Sequence, residues 1–325
     1  MAETANIAIM AEILSEELFS EFFWNRSGPY NRNWDCEDQE KHKVKTHPSD
    51  VVFWYEEPYS SHRTYVTCDL KSYKKESIKT EKIKDAIISL ADSLECAEKS
   101  KTWQEEYTHE HVPKKICGLL FVYNHDGRFD ADFSKRMTTV KPEELNIPKG
   151  SKLVVMGPED IFWLNNVKDE IVRMRGLGDL PTRSLCEFYY PHLVRRNNLK
   201  FDKAPAATLE MLTAAWIIMR SSTSPGSPKN NYVIFYRRKG HEVSEFLYLL
   251  DCLAHYQILV SGISIRIKAL DPTISAPAKF KLAVSEYIER CGGGEMAQVL
   301  NAIKFEKMTK ITQEFSEVEI GMRDE

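Results

Sequence analysis

The stretch from His47 to Tyr73, HPSDVVFWYEEPYSSHRTYVTCDLKSY, decides the fold of the first half of the chain. Within it, Val51–Glu56 and Thr64–Leu70 are runs of β-branched and aromatic residues, and the segment between them contains Pro58 and two serines. β-branched and aromatic residues favour strands, whereas proline and serine favour turns. The stretch therefore predicts two strands joined by a turn.

Three charged residues lie at one end of this predicted hairpin. Asp50 precedes the first strand, and Asp69 and Lys71 lie two residues apart near the end of the second. Side chains two apart in a strand point to the same face of the sheet. In a hairpin, the start of the first strand also lies beside the end of the second. We therefore expect Asp50 to converge on Asp69 and Lys71.

Two carboxylates and an ammonium group at one strand edge predict a site for phosphodiester hydrolysis. Carboxylate oxygens are preferred ligands of Mg²⁺, which keeps water molecules for a substrate phosphate. The backbone carbonyl of Leu70 would be a further ligand. A bound metal lowers the pKa of water and neutralises charge on the scissile phosphate. Lys71 would orient or deprotonate the attacking water and offset the phosphate charge.

Helices and a buried strand flank the hairpin. Ile7–Trp24 and Lys79–Lys99 carry apolar residues at helical spacing. Ile116–Tyr123 is a near-continuous apolar run, which is typical of a strand buried on both faces. Arg26–His47 is polar and rich in turn residues, so it predicts a loop or a short irregular strand. The predicted order is helix, strand with Asp, strand with Asp-x-Lys, long helix, strand.

With these residues in this order, the chain resembles the PD-(D/E)XK nuclease superfamily, which has a restriction-endonuclease-like fold. Pro48-Ser49-Asp50 corresponds to the first half of the motif, with Ser49 as an insertion, and Asp69-Leu70-Lys71 corresponds to the second, with Asp in place of the commoner Glu. The resemblance covers roughly residues 1–125. It implies a DNA nuclease that uses Mg²⁺, or alternatively Mn²⁺, in restriction or other anti-phage defence. Asp50, Asp69 and Lys71 would be catalytic, with Asp50 and Asp69 as metal ligands.

The resemblance also implies a metal-assisting glutamate on the first helix, for which Glu12 and Glu21 are the candidates. Basic residues near the motif are candidates for contacts with DNA phosphates, namely Lys74, Lys75, Lys79 and Arg63. The three lysines open the helix that follows the motif, where interspersed acidic residues equally favour an ordinary solvated surface. Arg63 lies at the hairpin turn, where exposed residues are common without any function.

Composition and element order predict the domain organisation. The chain has 325 residues, a formal net charge of -4, 42% hydrophobic and 28% charged residues, which excludes disordered and rod-like classes. A typical domain of roughly 100–200 residues implies two domains. Helices and strands alternate in the second half, which predicts an α/β architecture there as well. We expect a nuclease-like domain at 1–185 and an α/β recognition or partner-docking domain at 190–325.

The second half contains no catalytic motif. Thr208–Arg220 is predicted as a helix, and its apolar block Trp216–Met219 is either core or a partner interface, with core favoured. Strands over Tyr232–Arg237 and Ile263–Ala269 alternate with helices over Val243–Leu259 and Ala278–Arg290. The seven cysteines are scattered and form no Cys-x-x-Cys pair, so neither a zinc ribbon nor a disulfide framework is favoured.

Location and partners follow from the same sequence. Glutamates interrupt any signal peptide at the N-terminus, so a soluble, cytoplasmic protein without membrane contact is expected. The predicted partners are DNA and either a second protein subunit or a second copy of the chain, which would restrain the nuclease. The alternative is a catalytically silent copy of the nuclease fold that binds nucleic acid or assembles with a partner. The intact Asp50, Asp69 and Lys71 argue against that alternative.

Overall fold

The computed structural model describes residues 13, 15–109, 111–138, 140–191, 205–222, 224, 230–291 and 293–310. Contacts divide the chain into two compact units, with the division between Asn165 and Asn166. This division lies earlier than the boundary at 185–190 that the sequence predicts. The physical reason is that Glu170 already pairs with Lys268, and residues 186–188 already form a strand of the second sheet.

In the first unit, the predicted hairpin forms and further strands pair on both sides of it. A helix at residues 15–21 (α1) begins the described part. The elements that follow are β1 (Asn25–Ser27), β2 (Arg32–Asp35), α2 (Gln39–His42), β3 (Thr46–Ser49), β4 (Val51–Glu56), β5 (Arg63–Tyr73), α3 (Thr80–Ala97), α4 (Lys101–Tyr107), β6 (Lys114–Asn124), α5 (Ser134–Met137), β7 (Leu153–Met156) and the start of α6 (Pro158–Gly176), with 3₁₀ turns at Lys75–Ser77 and Pro142–Glu144.

A five-stranded mixed sheet in the order β1-β4-β5-β6-β7 forms the centre of this unit. β4 is antiparallel to both β1 and β5, whereas β5, β6 and β7 are parallel. β2 and β3 form a separate antiparallel pair, in the region where the sequence predicts a loop or a short irregular strand. The expected α/β fold with a mixed sheet is confirmed.

Apolar side chains on both faces of the sheet explain why β6 is hydrophobic throughout. On one face, Leu120 and Val122 pack in a cluster with Ile83 and Ile87 of α3. On the other face, the ring of Phe121 lies 6.0 Å from that of Phe19 in α1. Successive side chains of a strand point to opposite faces, so a central strand covered twice needs apolar residues at every position.

The second unit is a second α/β structure. It contains the rest of α6, a 3₁₀ turn at Arg183–Leu185, β8 (Cys186–Phe188), α7 (Leu209–Leu212), β9 (Trp216–Ser222), β10 (Asn230–Tyr236), α8 (Val243–His255), β11 (Ser264–Ala269), α9 (Ala276–Cys291), α10 (Glu295–Ala302) and β12 (Lys304–Lys307). Its sheet has the order β12-β11-β10-β9-β8. β10, β11 and β12 are parallel, and β9 is antiparallel to its neighbours β8 and β10.

The predicted helix over Thr208–Arg220 is wrong in its second half. Only Leu209–Leu212 is helical, and Trp216–Ser222 is a strand paired on both sides. Its position between two strands buries Ile217, Ile218 and Met219, each at most 3% exposed. The preference for core over a partner interface is therefore confirmed for these three residues.

A buried network of ion pairs crosses the second unit. Glu170 of α6 is fully buried, and its carboxylate lies 3.1 Å from the ammonium of Lys268 in β11. Arg173 binds the same carboxylate with two hydrogen bonds of 2.6 and 2.8 Å. Lys268 also pairs with Glu306 of β12, which in turn accepts from Arg266 at 2.8 Å. Five charged side chains thus join α6 to two strands.

Within the part of the chain that the structure describes, no helix combines the length and apolar character that crossing a membrane requires.

Candidate active site

Asp50 lies between β3 and β4, and hydrogen bonds hold both its backbone and its side chain. Its carbonyl accepts from the backbone N–H of Asn31 at 2.9 Å. Its Oδ2 accepts from the backbone N–H of Leu70 at 2.7 Å, across the hairpin. In the hairpin register Val51 lies opposite Cys68, so Asp50 is one position beyond the last β4–β5 pair. The carboxylate of Asp50 is thereby placed where β5 extends beyond the end of β4 while it remains paired with β6 on its other side.

Asp69 and Lys71 lie on that continuing part of β5. The Nζ atom of Lys71 lies 2.5 Å from Oδ1 of Asp69, and the two side chains are 32% and 14% exposed. Both residues point to one face, as their spacing in the strand requires. A small cleft next to them is lined by Pro48, Asp50 and Asp69 and, from α3, by Ser89 and Ser93.

The charges of this site act on one another. Burial raises the pKa of Asp50 to about 6, and the neighbouring carboxylate of Asp69, with which it shares a hydrogen bond, adds to that rise. Burial alone would lower the pKa of Lys71, but the carboxylates of Asp69 and Asp50 outweigh it and the pKa is raised. Lys71 is therefore protonated in the free protein. Above about pH 6, where Asp50 loses its proton, two close carboxylates with one ammonium leave a net negative charge, which favours a bound cation.

The donor set fits a hard divalent cation. Asp50 and Asp69 supply carboxylate oxygens next to each other, and Asp50 is destabilised as an anion without a cation beside it. The N–H of Leu70 points to Asp50 rather than to β6. Because the N–H and C=O groups of one strand residue point to the same side, the Leu70 carbonyl faces this edge as well. These oxygens are those that Mg²⁺ prefers.

Ser49, an insertion in the motif by sequence, anchors the end of β3 that leads to Asp50. Its hydroxyl is 1% exposed and accepts from the indole N–H of Trp34 and from that of Trp103, each at 3.1 Å. Sequence analysis missed this role. No local sequence pattern indicates this role, because the two tryptophans lie 15 and 54 residues away along the chain.

The candidate phosphate-binding lysines follow β5 directly. Lys74 and Lys79 are exposed, and Lys79 immediately precedes α3. Lys75 is partly buried, and its ammonium forms an ion pair of 2.8 Å with Asp130. Lys74 and Lys79 are therefore more accessible than Lys75, whose charge is paired; a contact of any of the three with DNA phosphates stays a prediction.

Arg63 is not brought to this site. It begins β5, six residues before Asp69, which corresponds to about 20 Å along an extended strand. Its guanidinium binds the carboxylate of Glu56 at 2.5 and 3.0 Å and lies 3.8 Å from the centre of the Trp54 ring. These contacts hold the guanidinium at the end of the hairpin that lies opposite to Asp50 and Asp69.

Of the two glutamates considered on the first helix, the structure describes one. Glu12 lies outside the described residues. Glu21 is partly buried at the end of α1. Its role in binding a metal stays a prediction.

The geometry agrees with the comparison to known families. A family model described as "GAPS4 protein PD-(D/E)XK nuclease domain" matches residues 1–160. No curated protein matches the sequence. The matched segment includes every strand of the first sheet as well as Asp50, Asp69 and Lys71. Residues 1–160, just under half of the chain, are therefore similar to a PD-(D/E)XK nuclease domain.

Proposed function

We propose that the protein is a Mg²⁺-dependent nuclease that hydrolyses phosphodiester bonds of DNA in anti-phage defence or restriction. The observation that carries this proposal is the convergence of Asp50, Asp69 and Lys71 at one edge of the first sheet. The family match supports nuclease chemistry. Defence is the use that many members of the superfamily have, and a cytoplasmic location agrees with a DNA substrate.

The two carboxylates and the ammonium group have different tasks in this proposal. Asp50 and Asp69, with the Leu70 carbonyl, hold the cation. When bound, Mg²⁺ lowers the pKa of a coordinated water and neutralises charge on the phosphate. The ammonium of Lys71 orients the attacking water and stabilises the charge that develops on the phosphate. The raised pKa of Lys71 favours this role over that of a general base.

Lys74 and Lys79 extend the proposed site towards the DNA backbone. Both are exposed next to the end of the strand that carries Asp69 and Lys71. Ammonium groups that contact phosphates release counterions, so such binding weakens as salt increases. Replacement of both lysines by alanine is expected to weaken DNA binding for all sequences and to reduce its salt dependence.

The second unit is proposed to dock a second protein subunit or a second copy of the chain. A nuclease of low sequence specificity would damage the DNA of its own host, so access to the cleft needs a restraint. Large apolar side chains are exposed on the second unit: Tyr248, Ile274 and Leu282. Exposed apolar residues of this kind, where they cluster, mark protein contacts.

Plasmid cleavage tests the proposed activity. Supercoiled plasmid is incubated with the purified protein and Mg²⁺, with Mn²⁺, or with EDTA, and a parallel reaction contains RNA. Nicked or linear DNA with Mg²⁺ and intact DNA with EDTA are expected, and added Mg²⁺ should restore cleavage after EDTA. The exposed Lys135→Ala variant is the control and should cleave as the unmodified protein does.

Two results would contradict the proposal. Cleavage of RNA alone would remove DNA as the substrate. Binding of DNA without cleavage under any of these metal conditions, with and without partner protein, would favour the catalytically silent alternative.

A further inference from the structure

A second cluster of ligand-type side chains lies in the first unit, apart from the three residues of the nuclease site. Cys36, His42, His47 and Cys96 are all buried, and each offers one sulfur or ring nitrogen atom within 4.8 Å of the others. They come from the end of β2, from α2, from β3 and from the last turn of α3. Four potential ligands from four places in the sequence thus converge on one point.

The distances among Cys36, His42 and Cys96 are those of a tetrahedral metal site. The two sulfur atoms are 3.7 Å apart, and Nδ1 of His42 lies 3.3 Å from each of them. Bonds of about 2.3 Å to sulfur and about 2.0 Å to nitrogen at tetrahedral angles place ligand atoms roughly 3.3–3.8 Å apart. A disulfide would require sulfur atoms about 2.05 Å apart. The spacing therefore corresponds to ligands around an ion rather than to a bond between the cysteines.

The other ring nitrogen of His42 faces a carboxylate. Its Nε2 lies 3.2 Å from Oε2 of Glu95, one residue before Cys96. Lys41 and Lys99 bind the same carboxylate at 2.6 and 3.0 Å and so keep it in place. Histidines that bind a metal commonly donate their second N–H to a carboxylate, which fixes the ring and makes the ligating nitrogen more basic. This arrangement leaves Nδ1 of His42 as the acceptor towards the two sulfurs.

His47 provides an independent indication of a ligand. Its Nε2 is buried and has no hydrogen-bond partner in the part of the chain that the structure describes. Its ring lies 5.4 Å from that of His42, centre to centre. A buried polar atom without a partner is unfavourable by roughly 1–3 kcal/mol. A metal ion at the centre of the cluster would remove that penalty.

We propose that Cys36, His42, His47 and Cys96 bind a structural Zn²⁺ ion. Two thiolates and two neutral imidazoles balance the charge of Zn²⁺, which makes a buried site acceptable. Two sulfur and two nitrogen ligands select zinc over the hard cation of the nuclease site. With four protein ligands no position is left for substrate, as is typical of structural sites.

The site has a structural consequence for the neighbouring nuclease residues. Through its four ligands, the ion would cross-link β2, α2 and β3 to the end of α3. β3 contains His47 and leads through Ser49 directly to Asp50. Zinc would therefore hold the segment that positions Asp50. The proposal does not depend on the nuclease activity, because metal content is measured without a substrate.

Metal analysis of the full-length protein tests the proposal. The protein is purified without a nickel column, and its zinc is measured by mass spectrometry of the elements. One zinc per chain is expected, with loss of zinc in Cys36→Ser and Cys96→Ser. Cys291→Ser is the matched control, since Cys291 is exposed in the second unit, and it should keep the ion. Asp69→Asn should keep it as well, which separates this site from the nuclease site.

A second measurement covers the case in which the cysteine variants do not fold. The unmodified protein is prepared with Co²⁺ in place of zinc, and its absorption spectrum should show the intense visible bands and the thiolate charge-transfer band of tetrahedral Co²⁺. A folded protein that contains no zinc and takes up none would overturn the proposal. A Cys36–Cys96 disulfide in the protein from its own host, or full zinc content in Cys36→Ser/Cys96→Ser, would overturn it too.

Discussion

At the scale of single residues, Asp50 is a carboxylate in a place that disfavours its charge. Burial and the nearby Asp69 raise its pKa, and only the Leu70 N–H and the ammonium of Lys71 act in the opposite direction. In the metal-free protein the anion of Asp50 therefore reduces stability, whereas a bound cation would compensate it. Metal binding and stability are thus coupled through this residue.

Asp50→Asn is expected to stabilise the metal-free protein at neutral pH but not in acid. The pKa of Asp50 is raised from 3.8, its ordinary value, to about 6 in the folded protein. Protonation of Asp50 therefore favours the folded state; this contribution to stability is complete below pH 3.8 and is lost as the pH rises through about 6. The gain of the variant over the unmodified protein should therefore grow between these two pH values and reach roughly 3 kcal/mol above them. Denaturant unfolding at pH 5 and pH 8 in Mg²⁺-free buffer measures the difference. A gain that is the same at both pH values would contradict the assignment.

Lys71→Ala is expected to abolish hydrolysis while folding and DNA binding remain. The ammonium acts on the water and on the charge that develops in the transition state, and loss of one such group reduces kcat by about 10²–10³-fold. Initial rates of plasmid nicking give the activity, and fluorescence anisotropy with labelled DNA gives the binding. The comparison variant is Lys135→Ala. Cleavage by Lys71→Ala at the rate of the unmodified protein would remove Lys71 from the proposed mechanism.

Asp69→Asn is expected to lose activity and Mg²⁺ affinity together. A neutral amide lacks the charge that holds the cation, and its nitrogen is not a metal ligand. Titration calorimetry with Mg²⁺ measures the affinity, and Asp132→Asn, an exposed carboxylate of the same unit, is the control. Should Asp69→Asn bind Mg²⁺ as tightly as the unmodified protein, Asp69 would be an ordinary surface residue.

The residues of the proposed site could be predicted because their geometry is local. Asp50, Asp69 and Lys71 belong to one hairpin, and the alternation of strand side chains is enough to bring them together. The role of Ser49 could not be predicted, since it depends on tryptophans from β2 and α4. Contacts between elements that are distant in the sequence have no local pattern.

At the scale of elements, the sequence predicts strands well where alternation or β-branched residues continue for several positions. β4 has the predicted bounds Val51–Glu56. In the strand Trp216–Ser222, the sequence predicts the end of a helix as far as Arg220, because a short apolar run fits a buried helix as well as a buried strand. Its pairing with β8 and β10 decided between the two, and that pairing is tertiary information.

Lys268→Ala is expected to destabilise the second unit strongly. The substitution leaves the buried carboxylate of Glu170 with Arg173 but without the ammonium that lies 3.1 Å away, and it leaves Glu306 with Arg266 alone. Removal of one partner from a buried ion pair costs about 3–5 kcal/mol. Denaturant unfolding measures the loss. Lys304→Ala, at an exposed position of β12, is the control and should change stability little. Equal effects of the two substitutions would show that the network does not stabilise the fold.

At the scale of the whole molecule, the protein is expected to form a complex through residues from about 190 onward. Light scattering after size-exclusion chromatography gives the mass of the protein alone and with the product of the neighbouring gene. The expected result is a mass above that of one 37.6 kDa chain in one of these samples. A monomer that binds nothing, cuts DNA freely in vitro and is harmless in cells would refute this prediction.

The cluster of Cys36, His42, His47 and Cys96 shows what the whole molecule adds to the sequence. Cys36 and Cys96 are 60 residues apart, so no Cys-x-x-Cys pattern marks them. The sequence alone therefore favours neither a zinc ribbon nor a disulfide framework. Only the packing of α3 against the β2–β3 pair brings the two sulfurs together.

The order of the two units along the chain has a consequence for synthesis on the ribosome. Every strand of the nuclease sheet precedes Asn166, and domains generally fold as they emerge, N-terminal first. At about 5–20 residues per second, the rest of the chain takes roughly 10–30 s to follow. During that interval a nascent chain already displays Asp50, Asp69 and Lys71 while the unit proposed to recruit the restraint is still being translated. A restraint that protects the host from the first moment therefore has to act on the nuclease unit itself.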